Sequence, residues 1–178
     1  SESTVNEQGE IVLKLPPPQK EGGMPLFQAL NNRLSSRDFN NTIKVNDKII
    51  SQSLWTCYGI NDLNHRTIPS PTGWYPLLIF VFLEEGVYLY DPVNNTLIRK
   101  LSGDYRKITG TQDYVADARI NFVIVADFKK KSLMDGDDAH KMRSIYLETG
   151  HCAMALSLYA AANNMKGVDR AMIDNDVV

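Results

Sequence analysis

Leu77-Leu78-Ile79-Phe80-Val81-Phe82-Leu83 is an unbroken apolar run, followed by the turn residues Glu84-Glu85-Gly86 and then by Val87-Tyr88-Leu89-Tyr90. A run of this length bounded by turn residues reads as a buried strand, and the return after Gly86 reads as its antiparallel partner. Asp91 to Asn95 turn the chain again, and Thr96 to Leu101 complete a three-stranded antiparallel meander. Ile120 to Asp127 is a second apolar run and predicts another buried strand.

Helices are predicted on either side of this strand core. Met24 to Leu34 carries Leu26, Leu30 and Leu34 at four-residue spacing, with Phe27 beside them, behind a first-turn Pro25. Asn46 to Tyr58 starts at a capping Asn46 or Asp47, lines one face with Ile50, Leu54 and Cys57 or Tyr58, and stops at Gly59. Asp104 to Ala118 reads as one or two short helices. Asp137 to Asn163 is the longest helix, capped by Asp137 or Asp138 and apolar on nearly all sides after Ile145. A helix of that kind belongs in a core or a subunit interface. Asn61 to Pro76, with Pro69, Pro71, Gly73 and Pro76, is a loop, and Phe128 to Asp138 is a charged loop. Gly167 to Val178 is short and includes a candidate final strand.

The first 23 residues are polar and rich in Pro and Gly, and Pro16-Pro17-Pro18 favours an extended conformation. They read as an arm, residues 1–23, ahead of a single domain over 24–178. Ile11 to Leu15 can add an edge strand or pack across a partner.

The 178 residues suffice for one domain with a real core, and 43% hydrophobic with 22% charged residues is ordinary for a globular protein. A net charge of -2 argues against nucleic acid as main partner. Cys57 and Cys152 make no disulfide framework and, in apolar helical surroundings, read as buried free thiols, with a single bridge left open. The longest apolar stretch, Ile145 to Ala162, is broken by Glu148 and His151, so no membrane span is predicted. The chain starts at Ser1, which leaves a cytoplasmic protein or an exported, periplasmic one after signal-peptide removal.

Metal chemistry has little support. His140 and His151 share a helix face but are separated by about 16 Å along it at 1.5 Å per residue, and His65 has no carboxylate or thiol beside it in sequence. Asp135-Gly136-Asp137-Asp138 lacks the further ligands of a calcium loop and reads as helix capping. No Walker loop, nucleophile elbow or Gly-x-Gly-x-x-Gly occurs, so enzymatic chemistry here requires a cofactor.

The stretch that carries binding chemistry is Arg33-Leu34-Ser35-Ser36-Arg37-Asp38-Phe39. If the helix gives way to extended backbone there, Arg33, Ser35 and Arg37 face one side and offer two guanidinium forks and a hydroxyl to an anion such as a phosphate. The plainer reading is a helix C-terminus with Arg33 on the dipole and Arg37 in solvent.

Arg33-x-Ser35-x-Arg37-x-Phe39, followed by Leu54-Trp55-Thr56-Cys57-Tyr58-Gly59 and by Arg66-Thr67-Ile68-Pro69-Ser70, resembles the FMN-dependent nitroreductase family, in the branch similar to the thiazole/oxazole-forming dehydrogenases. The resemblance runs from about Leu15 to about Asp174. It implies an α+β, nitroreductase-like fold: a mixed, mainly antiparallel sheet flanked by helices, with the long apolar helix buried at a homodimer interface. It implies FMN as cofactor, NAD(P)H as donor, and ping-pong transfer to a nitroaromatic, quinone or enone. Carried over by position, Arg33, Ser35 and Arg37 hold the FMN phosphate, ribityl chain and pyrimidine edge. Pro69, Ser70, Gly73 and Tyr75 come from the other chain, and backbone at Arg170 and Ala171 approaches the flavin ring. The flavin carries the chemistry, so no catalytic side chain is assigned.

The chain departs from the family's pattern in several places. Gly73 and Tyr75 stand where an Asn and a Gln are usual, Met154 and Ala155 replace a Gln-Asn pair, and Ala171 replaces a Gly. The chain also stops at Val178, before the family's C-terminal extension. The residues at Gly73, Tyr75, Met154 and Ala155 motivate the alternative: a non-catalytic binding or interaction member of the same fold.

Overall fold

The computed structural model describes residues 2–39, 44–130 and 137–171. Six strands form one sheet in the order β1-β2-β5-β4-β3-β6: β1 Ser3–Val5, β2 Ile11–Lys14, β3 Leu77–Leu83, β4 Gly86–Asp91, β5 Thr96–Ser102 and β6 Asn121–Ala126. Every pairing between these strands is antiparallel. The mixed character expected of the sheet is confined to one parallel bridge outside the named strands, Ser35 to Gly167. Three helices flank the sheet: α1 Leu26–Asn32, α2 Asp47–Tyr58 and α3 Asp138–Ala162. The architecture is the α+β fold expected from the resemblance.

The continuous apolar run of β3 follows from its position between β4 and β6, with both faces covered. Leu77, Ile79, Val81 and Leu83 join the main core with Leu54, Cys57, Leu97 and Cys152, while Phe82 faces a smaller cluster with Val87 and Val123. Side chains alternate across a strand, so a strand buried on both faces cannot alternate in polarity. Both cysteines are free and buried, as the sequence suggested.

Helix α2 presents Ile50, Leu54, Cys57 and Tyr58 inward, and the Asn46 side chain caps it by accepting the Ile49 N–H at 3.0 Å. Asn46→Ala is expected to cost about 1 kcal/mol of stability, the usual value of such a cap, read as a lowered denaturant midpoint at unchanged slope. Asp137 caps α3 in the same way through the His140 N–H, 2.8 Å. Among the described residues, no helix is long and apolar enough to cross a membrane.

The N-terminal segment, which the sequence left as an edge strand or a partner contact, forms a hairpin whose β2 extends the sheet along β5. Its proline-rich continuation lies on α2, where the Pro16 carbonyl accepts from Ser51 Oγ at 2.6 Å and from Asn95 Nδ2 at 3.1 Å.

Two helices end up less buried than their composition suggests. Helix α3 buries Ser144, Ile145, Glu148, Cys152 and Ala161, while Tyr146, Leu147 and Met154 are exposed. Helix α1 buries only Ala29, leaving Phe27 84% and Leu30 42% exposed, with Leu26 and Leu34 also open.

Candidate functional site

Helix α1 ends at Asn32, and Arg33 is already extended, with φ −65° and ψ 126°. The chain beyond it is pinned by the Ser35–Gly167 bridge and by the Ser36 N–H, which donates to the Gly167 carbonyl at 2.9 Å. Extended backbone sends alternate side chains to opposite sides. Asn32 and Leu34 accordingly line a pocket of about 410 Å³ with Ala160, Ala161 and Gly167, and Arg33, Ser35 and Arg37 are not among its lining residues. Arg33 is half-buried and its charge bears on Asp169, whose carboxyl is pushed up by burial and drawn back by Arg33. Ser35 is exposed, the Arg37 guanidinium lies 5.8 Å from the Tyr114 ring, and Lys166 pairs with Asp38 at 3.2 Å.

A larger cavity of about 480 Å³ opens on the other side of Gly167, between β6, α3 and residues 165–171. Tyr146, Thr149, Ala153, Leu156, Ser157 and Ala160 line it at three- and four-residue steps, so they form one face of α3. Phe122 and Ile124 of β6 stand opposite, and Phe39, Asp169, Arg170 and Ala171 contribute further walls. Arg33, Ser35 and Arg37 do not line this cavity; their strip borders it through Gly167.

The Arg170 side chain is engaged in bracing. Its guanidinium donates to the Thr109 carbonyl at 2.9 Å, to Thr109 Oγ1 at 3.2 Å and to Asn121 Oδ1 at 3.3 Å. Gly110 makes this possible, since a Cβ there would stand 2.0 Å from Arg170 Nη1. The brace ties the segment after α3 to the start of β6.

The Pro69–Tyr75 loop lies elsewhere, against the N-terminal half of α3. Ser70 Oγ donates to Glu148 Oε2 and accepts the Tyr75 N–H at 2.9 Å. The Pro69 carbonyl is 3.2 Å from His151 Nδ1, and Trp74 meets the His140 ring edge-on at 5.4 Å. Gly73 and Tyr75 both adopt left-handed backbone, with φ +70° and +47°. The Tyr75 ring packs on Tyr58 at 6.3 Å and under the Arg66 guanidinium at 5.4 Å. Glu148 and Ala160 are about 18 Å apart along α3 at 1.5 Å per residue. The chain brings the Arg33–Arg37 strip beside the segment of Arg170 and Ala171 through Gly167, and holds Pro69, Ser70, Gly73 and Tyr75 as a separate group. Met154 is exposed and Ala155 packs on the core.

Glu148 is the residue that sequence reading passed over, since it appeared only as an interruption of an apolar run. It is 1% exposed and accepts from both Tyr58 and Ser70. The available signal was energetic: a carboxylate inside an apolar helix face requires partners.

The nitroreductase family model matches residues 30–176, which spans the strip, the loop and both cavities. This chain belongs to the nitroreductase family. Relatives that bear the name "putative nitroreductase" include one from Ralstonia eutropha JMP134 and one from Methanocaldococcus jannaschii. The crystal structure of the one from Ralstonia eutropha JMP134 superposes with a TM-score of 0.85 at 32% identity, covering 93% of this chain and 79% of that one. The one from Methanocaldococcus jannaschii is 29% identical over 140 residues, 72% of this chain and 70% of that protein. The E. coli microcin synthetase complex with truncated pro-MccB17 bound shares the fold, with a TM-score of 0.57 at 17% identity over 85% of this chain and 64% of that one. Membership in the nitroreductase family places the chain among flavin-dependent oxidoreductases.

Proposed function

We propose that this nitroreductase-family protein is an FMN-dependent oxidoreductase that takes hydride from NAD(P)H and delivers it to an electron-poor acceptor, a nitroaromatic, quinone or enone, by a ping-pong cycle. The observation that carries the reading is the Arg33-x-Ser35-x-Arg37 strip, pinned by Gly167 to the border of a largely apolar 480 Å³ cavity.

The residues present fit such a cofactor. Two guanidinium groups and a hydroxyl form a donor set suited to a phosphate monoester. The adjoining cavity lies within the usual size range of small-molecule sites, roughly 300–1,000 Å³, and its aromatic and aliphatic walls suit a planar ring. A bound flavin supplies the two-electron carrier that the side chains lack.

The chain's own residues bind and orient. Arg33, Ser35 and Arg37 hold the phosphate, the ribityl chain and the pyrimidine edge, and the backbone at Arg170 and Ala171, held by the Thr109 and Asn121 brace, meets the ring. Phe39, Phe122 and Leu156 keep water from the ring face. Pro69, Ser70, Gly73 and Tyr75 complete the site of a second protomer, because they contact α3 at Glu148 and His151, residues that do not line the cavity of their own chain. The exposed apolar rows of α1 and α3 are the surfaces that the homodimer covers.

An absorption spectrum before and after FMN addition and desalting tests this reading. A retained flavin spectrum that bleaches with NADH or NADPH, followed by turnover of a nitroaromatic or quinone, is the expected result. Flavin retained without bleaching or turnover would return the protein to the non-catalytic reading, and no retained flavin would remove the site.

A further inference from the structure

We propose that Glu148 is the positioning residue of the Pro69–Tyr75 loop, its carboxylate holding Ser70 so that the loop keeps the shape it offers to the partner's cofactor. This rests on the flavin reading above.

Glu148 sits on α3 with its two oxygens divided between separate elements. Oε1 accepts from Tyr58 Oη at 2.9 Å, and Oε2 accepts from Ser70 Oγ. Tyr58 Oη in turn accepts the Leu77 N–H at 3.1 Å, where β3 begins. A serine hydroxyl carries one proton, and Ser70 directs it at Glu148. That hydroxyl therefore cannot at the same time donate to a cofactor, so Ser70 acts by shaping the loop rather than by donating to a bound molecule.

The shape requires restraint. Tyr75 is a non-glycine residue in left-handed backbone, a conformation that is sustained only when its surroundings over-determine it. Here its N–H is held by Ser70 Oγ and its carbonyl by Lys130 Nζ, while the Gly73 N–H closes onto the Ser70 carbonyl at 3.0 Å. One turn along α3, His151 holds the Pro69 carbonyl. Arg66, 4.6 Å from the Tyr58 ring centre and bonded to the Tyr58 carbonyl at 2.9 Å, brings positive charge to the buried carboxylate. Burial pushes the Glu148 carboxyl up, while the bonds from Ser70 and Tyr58 and the charges of Lys130 and Arg66 oppose that shift. Burial thus disfavours the charge, and a neutral glutamine of the same shape is compatible with the fold.

The experiment compares the wild type, Glu148→Gln, Ser70→Ala and the double variant by hydrogen exchange and by FMN titration. A glutamine offers one acceptor oxygen to two donors, so either Ser70 or Tyr58 loses its acceptor and the clamp on the loop opens at one end. In Glu148→Gln, amides of residues 69–76 are expected to exchange about tenfold faster, and FMN to bind about tenfold more weakly, the effect of one lost bond to a charged group. Protection in β3 to β5 is expected to be unchanged. The double variant is expected to bind FMN no worse than either single variant, because both break the same link. Tyr58→Phe loosens the clamp from its other end and serves if Glu148→Gln does not fold. Unchanged loop exchange and FMN affinity, or losses that simply add in the double variant, would overturn the proposal. Hydrogen exchange needs no cofactor, so a wild type that binds no FMN removes the flavin reading while the loop exchange still decides the role of Glu148.

Discussion

Replacing Arg33 and Arg37 together with alanine is expected to weaken FMN binding by at least about a hundredfold. In the proposed site each guanidinium would contribute charged hydrogen bonds to the cofactor worth about 1.5–3 kcal/mol, and each 1.4 kcal/mol is a factor of ten in affinity. Single replacements should each cost about tenfold or more by the same measure. Arg33 carries the larger share, because it is half-buried and Coulomb interactions strengthen away from water, whereas Arg37 is exposed. Lys166 is a poor substitute for either, since it pairs with Asp38. Fold loss is a minor concern: the strip is held by backbone contacts to Gly167, which neither replacement touches. Fluorescence titration with FMN reads the effect, and wild-type affinity in the double variant would move the phosphate site away from this strip.

The second large effect is on assembly. Replacing Phe27 and Leu30 with aspartate is expected to convert a homodimer into monomers and to abolish flavin retention in the same step. Burying two such side chains is worth about 1.5–3 kcal/mol each, and a buried unpaired charge reverses that gain. The substitutions leave the protomer's own core alone, because α1 contacts it through Ala29. Both proposed half-sites would survive on the monomer, yet apart, since the Pro69–Tyr75 loop contacts α3 at Glu148 and His151 while the Arg33 strip is held by Gly167, beyond the end of α3. Sedimentation velocity with flavin absorbance detection follows both changes together. A variant that sediments with the wild type would show that α1 lies outside the interface, and a monomeric wild type carrying flavin would remove the shared site altogether.

Much of this fold was legible in the sequence because its signals are local. Asn46 and Gly59 bound α2, Asp137 caps α3, and the apolar runs at 77–83 and 121–126 are strands, the first central in the sheet and the second, among the described residues, at its edge and only partly buried. These depend on capping hydrogen bonds and side-chain periodicity within a few residues, which linear order records directly. The end of α1 before Arg33 was legible for the same reason, since the chain there turns polar and extended.

The roles settled by tertiary contacts were not legible in that way. The Arg170 position was assigned near the cofactor, but its guanidinium is taken up by Thr109 and Asn121, a use that depends on Gly110 leaving space some sixty residues earlier. The apolar face of α1 was left without a partner and α3 after Ile145 was left as core or subunit interface, because periodicity cannot say whether an apolar stripe meets its own sheet or another surface. Glu148 looked like an interruption until Tyr58 and Ser70 were seen to close on it. Sequence by itself determined the helices, the central meander and their order, because each is specified within one or two helical turns. Tertiary structure alone decided which polar groups are engaged and which are left available. Hydrogen-bond partners of buried side chains are chosen by the packing of distant elements, and that choice has no local imprint in the chain.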